Sequence, residues 1–347
     1  MTALENVSIQ QAIVHKVGNP SRGEQLLLSP HALTLNDELV RSLLVRYLLS
    51  PFSENELYRF THLSDLQMNE VYRYMRNIFE QPECFVPVSH LLAQLLYSKS
   101  THARVKEGEL YVVYFENIFF EGAAQPAIGI FKSETKETFL RVFAHGKGWE
   151  LGAEDGININ KLDKGCLVFR SETDDGYRVS VVDNTNRQET QYWVSEFLQV
   201  QPLANDYRHT SQVMGLCKLF IENEYAEKFD VQRSDQIDLM NRSIDYFRTK
   251  EQFDINEFTT EVIHHPEVVD SFLQFKRHFE DNRKFEIDPQ FGIHGAAVQK
   301  QQKLFKSVLK LDKNFHVYIH GRRDLIERGY DESVAKKYYK LYFDEES

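Results

Sequence analysis

Leu110-Tyr-Val-Val-Tyr-Phe-Glu-Asn-Ile-Phe-Phe120 is where the period of the chain changes. Before it, apolar residues recur every three or four positions. From Glu109 they arrive in short runs rich in β-branched and aromatic side chains: Leu110 to Phe120, Ala127 to Phe131, Phe139 to Phe143, Cys166 to Phe169 and Tyr177 to Val182. Charged or glycine-containing turns separate the runs, as in an antiparallel meander. Successive strands with no helix between them define an α+β chain and exclude a doubly wound fold.

Working outward toward the N-terminus, Ile9, Ala12-Ile13-Val14 and Val17 read as an opening strand closed by Gly18-Asn19-Pro20. Asn36 is the expected cap of a helix with Asp37 and Glu38 in its first turn and Leu39, Leu43, Leu44, Tyr47 and Leu48 on one face. Ser64 with Gln67 forms a capping-box pattern ahead of Val71, Tyr74, Met75, Ile78 and Phe79. A third helix is expected from Val88 to about Ser100, burying Leu91, Leu92, Leu95 and Leu96.

Toward the C-terminus, Pro202 and Asn205-Asp206 mark a boundary between Gln199 and Tyr207. Helical stripes follow at Val213 to Ile221 and, after a Ser234 cap, at Ile237 to Phe247. Asp254 with Glu257 offers another capping box, and Pro266 opens a helix carrying Val268, Val269, Phe272, Phe275 and Phe279, with Lys276, Arg277 and Arg283 on its other side. The expected organisation is an α+β domain over 1–204, a helical module over 205–285, and a basic hairpin and tail over 286–347.

That hairpin is read from Phe305 to Leu311 and Phe315 to Ile319 around the turn Asp312-Lys313-Asn314. Residues 300–340 carry 11 basic and 5 acidic side chains, whereas the chain as a whole has a net charge of −11. An acidic body thus bears a basic end. Lysines on a hairpin can simply guard its edge against pairing with other chains. Clustered cations also gain free energy by displacing counterions from nucleic acid, and the residues placed for that are Lys303, Lys306, Lys310, Lys313, Arg322 and Arg323. The acidic balance excludes a protein that coats nucleic acid with its whole surface.

With 347 residues and 42% hydrophobic side chains the chain is long enough for two buried cores. Three dispersed cysteines, Cys84, Cys166 and Cys217, indicate neither a disulfide framework nor a zinc ribbon. No leader-like start and no apolar run of roughly 18 residues is present, so a reducing cytoplasm is the expected address. Gly146-Lys147-Gly148 lacks the Ser/Thr and the helix of a phosphate loop and reads as a hairpin turn. Glu134-Thr135-Lys136 has the spacing of some magnesium nucleases, with a solvated turn as the competing reading. His316 and His320, about 13 Å apart along a strand, cannot share a metal. The acidic turns at Asp174-Asp175-Gly176 and Asp183-Asn184-Thr185-Asn186 lack calcium-loop spacing and read as hairpin turns. No cofactor or metal is expected.

Three stretches carry a resemblance: Ile13-Val14-His15-Lys16-Val17-Gly18-Asn19, the aromatic Tyr58-Arg59-Phe60 ahead of the helix from Leu66, and Phe305 to His316. With them the chain resembles the bacterial nucleoid-associated proteins of the NdpA/YejK-like family along essentially its whole length. The resemblance implies a cytoplasmic, nucleoid-located, non-enzymatic protein and supplies no catalytic residues. The leading expectation is therefore DNA-phosphate contact through the basic C-terminal segment. The alternatives are an adaptor that reaches DNA through a DNA-associated protein partner and, third, a magnesium-dependent nuclease.

Overall fold

The computed structural model describes the chain apart from residues 1–5, 54–55, 174–175, 186–191, 284, 306–307, 320–322 and 346–347. Its contacts divide it into two units, Met1–Leu203 and Ala204–Ser347.

The first unit is organised on an eight-stranded sheet built from β1 (Ser8–Val17), β2 (Leu26–Leu27), β3 (Leu57–Phe60), β4 (Gly108–Phe120), β5 (Ala123–Ser133), β8 (Lys164–Thr173), β9 (Gly176–Asp183) and β10 (Val200–Pro202). The strand order is β10-β3-β9-β8-β5-β4-β1-β2, with every pairing antiparallel. Alternate residues feed two cores. Ile13, Val112, Ile128, Ile130, Cys166 and Val168 pack with helices α2 (Glu70–Glu80) and α3 (Phe85–Lys99). Ala12, Val113, Phe115, Phe131, Leu167 and Phe169 pack with α1 (Glu38–Leu49) on the other face. Burial on both faces explains why the runs are almost continuously apolar instead of alternating with polar residues.

Turn chemistry fixes the register of the central pair. Glu121 and Gly122 both have positive φ, 49° and 83°, between the paired residues Phe120 and Ala123. Two left-handed residues in a two-residue loop match the right-handed twist of the strands. Asn117, at φ 60°, sits where the β4–β5 register shifts between Phe115 and Ile118, marking a bulge.

Phe139 to Phe143 is a strand but does not join this sheet. It lies in β6 (Glu137–His145), which pairs only with β7 (Gly148–Gly156), and Gly146-Lys147 turns the hairpin with Gly146 at φ 59°. The caps also shift from their expected positions. Asp37, not Asn36, caps α1 by accepting from the backbone N–H groups of Leu39 and Val40. Asn69, not Ser64, caps α2 by accepting from Tyr72 N at 2.9 Å. The third helix begins at Phe85, and Leu91 and Leu39 are exposed.

In the second unit α4 (Asp206–Leu219), α5 (Tyr225–Lys228), α6 (Arg233–Thr249), α7 (Ile255–Phe258), α8 (Pro266–Arg283) and α9 (Gly295–Gln302) surround a core of Val213, Phe220, Met240, Phe247, Phe258 and Phe272. A short antiparallel pair, β11 (Gln252–Asp254) with β12 (Gln290–Gly292), is set among them. Ser234 is buried inside α6, and Asp235 closes the first turn by accepting from Gln232 N at 2.8 Å. Asp254 caps α7 as expected, but the Glu257 carboxylate turns to Lys250 and Tyr246. Lys276 is not part of an open basic face: it is largely buried and bonds Glu280 at 2.8 Å.

Two further hairpins complete this unit: β13 (Val308–Leu311) with β14 (Phe315–Tyr318), and β15 (Ile326–Asp331) with β16 (Lys336–Leu341). Leu309, Ile319 and Ile326 pack on Ile237 of α6, and Asn241 Nδ2 donates to Ile319 O at 3.1 Å. Phe305 belongs to the helical core, so the first hairpin starts at Val308.

Candidate nucleic-acid interface

The β13–β14 register sorts its side chains by face. Leu309 opposite Val317 points to the α6 side, whereas Lys310 opposite His316 and Val308 opposite Tyr318 take the other face. Lys313 stands at the centre of the turn, where Asp312 adopts φ 51°. Lys303 follows the last turn of α9. Lys303, Lys310 and Lys313 are exposed, and among the described residues no carboxylate lies within ion-pairing distance of them. Lys306 and Arg322 lie outside the described residues. Arg323 opens a short 3-10 turn through Leu325, and its side chain lies outside them too.

Such exposed ammonium groups keep their hydration until a phosphate arrives, so a contact gains counterion release without breaking an existing ion pair. The basic segment also extends further than the residues picked out by charge alone. β16 sets Lys336, Tyr338 and Lys340 on one face, a pattern visible in the sequence as an alternation but counted there only as charge. Tyr342 and Glu327 beside Lys340 hold its ammonium above the ordinary lysine range.

The Glu134-Thr135-Lys136 segment is not a solvated turn. The Glu134 side chain is 4% exposed, pairs with the fully buried Lys132 at 3.0 Å and accepts from Tyr192 Oη at 2.9 Å. Asp163 accepts from Glu134 N, Thr135 N and Thr135 Oγ1. Lys136 instead reaches Glu109 at 2.6 Å. One strand over, Lys164 pairs with Asp183 at 3.0 Å, with side chains 1% and 5% exposed. Asp183 and Thr185 are therefore joined to Lys164 in a largely buried ion network, while Asn184 between them is exposed, so this is not a free hairpin turn. Burial pulls the Lys132 ammonium below the ordinary lysine range, opposed by Glu134. These carboxylates are committed to lysines and backbone N–H groups, and among the described residues no three His, Cys, Asp or Glu side chains converge as metal ligands. Cys166 and Cys217 are buried, and burial raises both thiols; Cys84 is half-buried.

The β6–β7 hairpin is the other unusual surface. Leu140, Val142 and Ala144 face Ala153, Leu151 and Trp149 across the ladder, giving a contiguous apolar patch on one face, bordered by the Thr138–Asp155 pair. Leu140, Leu151 and Trp149 are 72%, 69% and 77% exposed. Among the described residues, no helix is long and apolar enough to cross a membrane.

Fold and surface together define an α+β protein with exposed cations on small C-terminal hairpins and an apolar hairpin on its sheet unit. The family model described as nucleoid-associated protein YejK matches residues 13–337, and the chain belongs to that family. No curated protein matches the chain. Its role is thus nucleoid-associated.

Proposed function

We propose that this is a non-enzymatic, cytoplasmic protein of the nucleoid that meets DNA phosphates directly through Lys303, Lys306, Lys310, Lys313, Arg322 and Arg323. The observation that carries the reading is the placement of Lys310 and Lys313. The hairpin that bears them is anchored to α6 by Leu309, while both ammonium groups remain exposed and without ion-pair partners among the described residues. Contacts of this kind position a protein on the duplex without reading its bases. A gel-shift titration across salt tests it. Affinity falls steeply with ionic strength, and Lys310→Gln with Lys313→Gln makes the log–log slope shallower by roughly 1.8, at about 0.9 per phosphate contact. Affinity independent of salt, or no binding, removes direct contact.

A second reading, an adaptor that binds a DNA-associated protein, is favoured by the apolar face of β6–β7, because contiguous exposed apolar surface marks interaction sites. Leu140→Lys with Leu151→Lys then abolishes nucleoid association in cells while leaving DNA affinity in vitro unchanged. The magnesium-nuclease reading is disfavoured by the separate ion pairs of Glu134 and Lys136. Plasmid DNA incubated with the protein and magnesium stays intact, and Glu134-dependent cleavage would reverse that view.

A further inference from the structure

The last strand has a chemistry distinct from the β13–β14 hairpin. Lys336, Tyr338 and Lys340 occupy successive positions on one face of β16, and Tyr342 continues the series, its N–H donating to Leu325 O at 2.9 Å so that the ladder runs on past Leu341. Lys340 Nζ lies 4.7 Å from the centroid of the Tyr342 ring, placing both on that face. Tyr338 is 46% exposed, Tyr342 42% and the following Phe343 70%. Opposite Tyr338 stands Gly329, where an added Cβ would come within 2.3 Å of the tyrosine ring. Glycine there lets the ring lie across the partner strand, with the remainder of its surface open to solvent. At about 3.3 Å per residue, the two tyrosines stand roughly 13 Å apart with a lysine between them.

Cations alternating with displayed rings on a sheet surface are suited to unstacked bases and the phosphates that join them. A duplex keeps its bases stacked inside and cannot use such rings. The local charge makes the distinction sharper. Asp331 and Glu327 lie opposite Lys336 and Lys340 in the register, and Asp344, Glu345 and Glu346 follow directly in the sequence. Coulomb attraction is therefore partly cancelled here, and ring stacking has to supply the larger share of any binding.

We infer that β16 and its extension form a single-strand binding surface, on which Tyr338 and Tyr342 stack bases while Lys340 holds a phosphate between them and Lys336 a phosphate beyond Tyr338. This rests on the nucleic-acid reading above and specifies its ligand: single-stranded DNA or RNA. The surface holds the strand through base faces and phosphates, which both polymers present.

The test is fluorescence anisotropy of the full chain with labelled dT12, rU12 and a 12-base-pair duplex at one salt concentration. Single strands bind at least tenfold more tightly than the duplex. Tyr342→Ala weakens single-strand binding by roughly tenfold and leaves duplex binding unchanged. Because Tyr338 also covers Gly329, its role is separated with Tyr338→Phe, which keeps binding, and Tyr338→Leu, which keeps the apolar cover and loses binding. The dT12 and rU12 arms show which polymer the surface holds. Equal affinity for strand and duplex with tyrosine variants unchanged overturns this inference and leaves duplex contact standing. Absence of binding to all three probes overturns both.

Discussion

At the scale of single residues the first unit depends on charges and rings kept away from water. Lys132 and Lys164 flank the Tyr192 ring at 5.7 and 5.3 Å, each neutralised by one carboxylate. Removing one member of a buried pair strands the other charge, typically at a cost of about 3–5 kcal/mol, whereas an apolar replacement of both is far milder. Glu134→Ala is therefore expected to lower unfolding stability in urea by about that amount, and Lys132→Met with Glu134→Leu to recover most of it. His15 gives a pH prediction. It is buried, its Nδ1 accepts from Ser29 N and its Nε2 lies 3.0 Å from Ser89 Oγ. Burial, and secondarily His90, lower its pKa from 6.5 to about 4. The neutral ring is the folded form, so the stabilisation is complete above pH 6.5 and is lost as pH falls toward 4. The loss is of order 2–3 kcal/mol, at about 1.4 per pH unit. Urea titrations at pH 7 and pH 4 read the difference, and His15→Asn shrinks it. None of this network was legible locally. Glu134-Thr135-Lys136 looked like a solvated turn because the burial of its neighbour Lys132, and the approach of Asp163 and Tyr192 from 29 and 58 residues further on than Glu134, depend on chain returns that no short window contains. The caps were missed by smaller margins: Asn36 and Asp37 are both good caps, and the choice depends on which side chain reaches the first free N–H groups.

At the scale of elements, periodicity located most of the central strands and helices, since the runs from 110 to 182 and the stripes at 213–221 and 237–247 reappear as buried faces. It could not assign the strand at 139–143 to its sheet. Phe139, Leu140 and Val142 have the same composition as the core strands, yet they stand in a two-stranded hairpin open to water. Composition reports what a residue could bury, and the absent third strand is decided by topology. The two environments should respond oppositely to mutation. Leu167→Ala in β8 removes a fully buried side chain and is expected to cost about 2–5 kcal/mol. Leu140→Lys with Leu151→Lys, at exposed positions, is expected to stay within about 1 kcal/mol of the parent. Chemical denaturation of the full chain followed by Trp fluorescence compares them. A large loss from the hairpin pair would mean that its apolar face is already covered in the folded chain.

At the scale of the whole molecule the governing quantity is where charge sits, not how much of it there is. A net charge of −11 repels a polyanion at long range, so contact with duplex DNA through its phosphates has to be made by a surface whose local field has the opposite sign within a screening length of about 8–10 Å. The sequence makes the basic segment countable, because charge along the chain needs no geometry, but it cannot tell a lysine held in an ion pair from one left open. Lys276, Lys250 and Lys136 are held by carboxylates, whereas Lys310 and Lys313 are exposed. A comparison matched in net charge separates location from total. Lys310→Gln with Lys313→Gln and Lys147→Gln with Lys161→Gln, the latter both exposed positions in the sheet unit, change the net charge equally. If a local surface makes the contact, the first pair weakens duplex affinity at low salt by at least tenfold and flattens its salt dependence. The second pair then shifts affinity by less than about twofold with the slope unchanged, because those side chains touch no phosphate. Equal losses from the two pairs would assign the interaction to the overall field and take the C-terminal hairpin out of it.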